Sequence, residues 1–175
     1  MQRTTGIISA LVIALIVCIT AVAGLAAPAG ASAGTRLTVS EREVLACVNA
    51  ERAARGLASV KPQARLMRAA RAHSRSMAHR SFFSHDSLNG ASFGLRLLGN
   101  GYERDGFAAW SVGENIASAR VGTVAATPRA VVLLWMRSAA HRRVILGKAF
   151  RDAGIGIHRK GGRRYVTLDL GRRRR

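Results

Sequence analysis

The sequence predicts an α+β domain, on three observations. Several helical patterns with recognisable caps follow one another from residue 41 onward. A glycine-centred hairpin pattern ends it. Strand and helix patterns do not alternate, which argues against a parallel α/β sheet.

The first 33 residues are set apart as an export signal. Arg3 supplies positive charge, Gly6 to Ala27 is apolar, and Ala31-Ser32-Ala33 fits a small-residue cleavage site before Gly34. The apolar run is also long enough to serve as an uncleaved anchor, the second reading. The remaining chain suits one domain with one core, expected to be monomeric, over residues 34–171, followed by a basic tail at 172–175.

Helix one is expected from Glu41 to Arg55, with Ser40 and Glu43 as a capping box and Gly56 as the stop. Helix two is expected to start at Pro62, with Leu66, Ala69, Ala70, His73 and Met77 on its apolar face. His73 reads as a core histidine. Phe82-Phe83 delivers His85 into a loop, and Asn89-Gly90 signals a turn. A short helix spans Ser92 to Leu98, and Glu103 to Val112 reads as irregular. Thr127-Pro128 caps a helix whose stripe is Ala130, Val131, Leu134 and Trp135. A further helical piece covers Arg142 to Leu146. Ile155-Gly156-Ile157 and Tyr165 to Leu170 flank Gly161-Gly162 as a hairpin. Asp169 lies among apolar residues there, either on an open face or paired with an arginine.

Charge is the strongest compositional signal. The chain has 28 basic and 9 acidic residues and a net charge of +19, and all but three of the basic residues are arginine. Such a surface attracts polyanions in a salt-sensitive way. No basic helix-turn-helix or aromatic stacking pattern supports a specific nucleic-acid role. Anionic envelope polymers or lipids are the expected partners. Cys18 falls in the signal, so Cys47 would be the only thiol left after cleavage, and it reads as a small buried hydrophobe.

Three polar islands carry the chemistry: Phe83-Ser84-His85, Gly113-Glu114-Asn115-Ile116-Ala117, and Trp135 to His141. Two neutral imidazoles and a carboxylate can hold a divalent cation or pass a proton. Glu114 either ligates directly or orients a neighbouring histidine. Gly90-Ala91-Ser92-Phe93-Gly94 matches a nucleophile-elbow pattern, but no strand precedes it, so Ser92 reads as a helix cap.

These islands, with Val48-Asn49-Ala50-Glu51-Arg52, Ala70-Arg71-Ala72-His73 and Ala153-Gly154-Ile155-Gly156-Ile157, resemble the bacterial branch of the CAP superfamily (cysteine-rich secretory proteins, antigen 5 and pathogenesis-related proteins; SCP-like). The resemblance covers about Thr38 to Gly171. It implies an α-β-α sandwich, with an antiparallel sheet between helical layers and an open cleft. It implies that His85, Glu114 and His141 fill three of the cleft's usual two-His, two-Glu positions. Arg137 or Ser138 stands where the fourth, a glutamate, would be. It further implies that zinc or another divalent cation could sit at His85 and His141, with Glu114. Asn49 and Arg52 match its first-helix motif and read as structural.

The first functional expectation is a secreted, non-enzymatic module that binds an envelope ligand in the His/Glu cleft. The second is a metal-assisted hydrolase or protease, with Glu114 as candidate catalytic base. The third is a cationic polyanion-binding or antimicrobial protein acting through charge alone.

Overall fold

A computed structural model describes residues 35–175. The signal segment, its cleavage site and Cys18 lie outside these. Among the described residues, no helix is long and apolar enough to cross a membrane.

The elements in chain order are α1 (Val39–Ala53), β1 (Lys61–Pro62), α2 (Ala64–Arg80), α3 (Phe93–Gly99), β2 (Ala109–Arg120), α4 (Pro128–Arg137), α5 (Ala139–Ile145), β3 (Asp152–Lys160) and β4 (Arg163–Arg174). The sheet order is β1-β3-β4-β2, with β1 parallel to β3 and the other pairs antiparallel. Helix α2 covers one face of β3 and β4, and α1, α4 and α5 cover the other. This is the α-β-α sandwich that the resemblance implied.

The main core lies on the α1/α4/α5 side. Val44, Val48, Val131 and Trp135 meet Ile155, Leu168 and Leu170 there. On the opposite face α2 lies directly on the strand backbone. A Cβ at Gly154 would sit 2.2 Å from the Leu66 backbone, and one at Gly156 would sit 2.1 Å from the Ala70 carbonyl oxygen. The Gly-Ile-Gly spacing of β3 therefore gives α2 its seat, because no larger residue leaves room.

Several local expectations shift. Helix α1 starts two residues early, at Val39, with Thr38 as its cap. The Thr38 amide donates to Glu41 Oε2 at 2.8 Å, and the Glu41 amide donates to Thr38 Oγ1 at 3.3 Å. Two overlapping boxes compete, Thr38/Glu41 and Ser40/Glu43. The first wins because it also places the buried Glu41 against Arg71, whose Nε and Nη2 donate at 2.8 and 2.7 Å. Pro62 does not open α2. It sits in β1 while the Lys61 and Gln63 amides donate to Arg151 and Ala153, so its missing N–H is not needed. The Gln63 side chain then caps α2.

The buried stripe of α4 is Val131, Val132, Trp135 and Met136, and Leu134 is exposed. Arg172 to Arg174 form no tail; they extend β4 and pair with Ser111, Trp110 and Ala109. Arg173 stacks on Tyr102 and Phe107, 4.5 and 4.7 Å from the ring centroids. Cys47 is half-buried against the main core, and burial pushes its thiol above the ordinary range.

Candidate functional site

Strand β2 is the organising element, and its local sequence hides it. Gly113, Glu114, Asn115 and Ala117 are poor strand formers. The full-length ladder with β4 holds them extended nevertheless, from Ala109 against Arg174 to Arg120 against Arg163. Being the last strand of the order, β2 leaves one edge facing away from the sheet.

A groove of about 640 Å³ runs along that edge. On one side stands the Phe83–Asp86 loop. On the other stand Leu134, Trp135 and Ser138 of α4 and the turn after it, and His141 of α5. Each wall is tied to β2. Trp135 Nε1 donates to the Ile116 carbonyl at 3.0 Å, and Asn115 Nδ2 donates to the His141 carbonyl at 3.0 Å. The buried His73 approaches the Ser84 carbonyl with Nε2 at 2.9 Å and meets Phe82 edge to face, which holds the His85 loop in place. Burial first, and the charge of Arg96 second, hold the His73 imidazole below its usual range, so the ring is neutral and Nε2 donates.

His85 and His141 thus share one groove, while Glu114 lies behind His85. His85 Nδ1 is 2.9 Å from Glu114 Oε1. A carboxylate only accepts, so Nδ1 carries the proton and Nε2 is the ring nitrogen left for a ligand. Glu114 Oε2 accepts from Arg96 Nη2. Burial raises the Glu114 pKa, but the hydrogen bond from His85 and the charge of Arg96 outweigh it, and the net shift is downward. His141 is shifted downward by burial and by the nearby His85.

Of two further groups in this cluster, Arg96 carries no signal in the sequence and Asp169 shows there only as an acid among apolar residues. Arg96 projects from α3, its side chain 8% exposed, and its Nη1 donates to the His85 carbonyl and to Ser87 Oγ, each at 3.0 Å. Asp169 faces Glu114 across the β2–β4 ladder, fully buried, and no N–H or hydroxyl among the described residues donates to its carboxyl oxygens, which leaves the Glu114 carboxylate as the group it can share a proton with. It is neither on an open face nor paired with an arginine. Burial, then the Glu114 charge, push its pKa well above the ordinary 3.8, with Arg96 opposing. Only the β2–β4 register could have revealed it.

Asp169 has a pH signature. Its proton is held more tightly in the folded than in the unfolded chain. Stability therefore falls as pH rises from about 3.8 toward the raised folded value. Asp169→Asn removes that loss. The variant is expected to be more stable than the parent at pH 7, with the gain shrinking toward pH 4. Urea titrations at the two pH values check it; an equal or reversed difference contradicts it.

The donor set limits what an ion would find. Both Glu114 oxygens are engaged, and the side chain has no exposure. Among the described residues, no group of three or more His, Cys, Asp or Glu side chains is placed to hold a metal. An ion there would have His85 and His141 as its side-chain ligands, with Glu114 orienting His85. Ser92 Oγ accepts from the Leu95 amide at 3.4 Å and caps α3.

The chain is similar to known proteins over most of its described length. It is 33% identical over 132 residues to the Bacillus subtilis protein YkwD, an alignment covering 74% of this chain and 47% of that one. It thus spans about half the length of that relative. An extracellular protein of Bacillus anthracis containing an SCP domain superposes with a TM-score of 0.62 at 24% identity, over 80% of this chain and 45% of its own. An outer surface protein of Borrelia burgdorferi superposes with a TM-score of 0.63 at 16% identity, over 76% and 92%. At these identities the two structures speak for the fold alone. The family model for cysteine-rich secretory proteins, CAP, matches residues 45–170, and with that match the chain belongs to the CAP family.

Proposed function

We propose that this chain is an exported, non-enzymatic CAP module that holds an amphiphilic envelope ligand in the groove beside β2. The observation that carries the reading is the composition of the groove. Exposed Phe83 and Leu134 offer apolar surface, the buried Trp135 and Ile116 line the same groove, and His85 and His141 stand at its opening. An apolar chain would rest on Leu134 and Phe83, and a polar or anionic head would meet the imidazoles. Export is supported by the signal-like N-terminus and by the extracellular and outer-surface descriptions of the two similar structures. Exposed Arg65, Arg68 and Arg75 on α2 would keep the module near anionic polymer in a salt-dependent way.

A catalytic role for Glu114 has less support. Its carboxylate is sealed behind His85 and already neutralised by Arg96, so it is not placed to take a proton from a groove-bound substrate. A divalent ion on His85 Nε2 and His141 is the second reading, supported by the Glu114 hydrogen bond that leaves Nε2 free.

The test uses envelope lipid extract and the full chain. The parent should retain an amphiphile identifiable by mass spectrometry. Leu134→Asp, at a site 58% exposed, should weaken retention about tenfold, or about 1.4 kcal/mol, without changing the melting temperature. Failure of the parent to retain any amphiphile would sink the proposal.

A further inference from the structure

We propose that His79 and His158 form a second site, on the surface and separate from the groove, for a late divalent transition-metal ion, copper(II) or zinc. His79 lies in the last turn of α2 and His158 in β3. Sequence reading finds nothing in either. The fold brings their Nε2 atoms to 3.0 Å. The ring centroids are 4.9 Å apart and the planes inclined at 46°, so the rings converge by their Nε2 edges rather than stack.

That separation is the one a chelated ion requires. With metal–nitrogen bonds of about 2.0–2.1 Å, two cis ligands of a square plane stand about 2.9 Å apart, and two tetrahedral ligands about 3.3 Å. The observed distance falls between them, so an ion enters with a shift of a few tenths of an ångström. The frame under the pair is stiff. Helix α2 rests on the β3 backbone at Gly156, and Lys160 Nζ donates to the His79 carbonyl at 3.2 Å, tying the helix end to the strand. His79 is exposed and His158 half-buried, so solvent can complete the shell.

Ligand chemistry selects the ion. Two imidazoles without a carboxylate suit copper or zinc and offer nothing to calcium or magnesium. Arg75 and Lys160 lie close enough to His158 to act on it electrostatically, and their charge keeps the affinity for a cation moderate. In the ion's absence, one neutral ring donates to the other.

The chain has five histidines, so each ring can be followed individually. The full chain, without a histidine tag, is titrated with copper(II) and with zinc by calorimetry, in a His85→Ala/His141→Ala background that removes the groove imidazoles. About one equivalent should bind. Adding His79→Ala or His158→Ala should weaken binding at least tenfold. In the unaltered chain, copper(II) should broaden the ring NMR signals of His79 and His158, while buried His73 stays sharp. No binding in the double-alanine background, binding that neither further variant weakens, or broadening confined to His85 and His141 would each overturn the site. None of these outcomes bears on amphiphile retention, which is measured separately.

Discussion

Arg52→Ala is expected to destabilise the chain by about 3–5 kcal/mol and to lower the melting temperature on the order of 10–20 °C. Arg52 has no exposed surface, yet no carboxylate faces it. Its guanidinium is spent on backbone. Nε donates to the Ala58 carbonyl at 2.9 Å, Nη1 to Ile145 and Gly147 at 2.7 and 3.0 Å, and Nη2 to Phe150 at 3.2 Å. The Gly147 and Phe150 carbonyls also accept from the Phe150 amide and from Arg151, whereas those of Ala58 and Ile145 are served by Arg52, so alanine leaves acceptors unpaired as well as a cavity. Arg52→Lys should rescue little, because an ammonium point charge cannot span four acceptors that a planar fork reaches. Arg52→Met restores volume without donors and should fall close to alanine. Denaturant titration of the three variants separates hydrogen bonding from packing. A loss under 1 kcal/mol for alanine would show that the carbonyls find other partners. Because Arg52 anchors the segment after α5, the alanine variant should also loosen His141 and weaken groove binding.

The features legible in the sequence are those decided within a few residues. Ser92 and Thr127 cap their helices, and Gly161-Gly162 turns its hairpin, because hydroxyl caps and left-handed glycines act locally. His85, Glu114 and His141 stand out because each lies in a short polar island beside apolar anchors, Phe82-Phe83, Ile116-Ala117 and Trp135. Illegible features depend on partners far along the chain. The start of α1 is chosen by Arg71, thirty residues away. Pro62 becomes a strand residue only because Arg151 and Ala153 pass beside it. Strand β2 shows no clean alternation because residues 113–117 are buried without regard to face. Asp169 and Arg96 acquire meaning only from the β2–β4 register and the docking of α3. The local sequence therefore marks His85, His141 and Glu114, and not Arg96 and Asp169, which complete the electrostatic shell around Glu114.

That shell is tested most directly by Glu114→Ala, expected to cost about 3–5 kcal/mol. The substitution removes the one carboxylate facing the Arg96 guanidinium, which stays buried with only the His85 carbonyl and Ser87 Oγ as partners. Asp169 is no ready substitute, since it is held neutral by burial and by the very charge being removed. Losing that charge should ease Asp169 toward ionisation and recover part of the cost. Glu114→Gln keeps an acceptor for His85 Nδ1 and should be milder than alanine. Its acid profile should differ as well. Glu114 titrates below its usual 4.5, so its contribution is fully present above that value and is lost as pH falls through the lowered folded value. The glutamine variant should lack this acid-side loss. Adding Arg96→Leu to Glu114→Ala should restore stability relative to the single variant, because the pair is then removed together rather than broken. The His85 ring reports the functional side of the same experiment. Without its acceptor, Nδ1 no longer dictates which nitrogen carries the proton, and the NMR tautomer signature should shift toward a mixture. Unchanged melting of Glu114→Ala together with an unchanged His85 tautomer would mean that the carboxylate neither compensates Arg96 nor orients the imidazole.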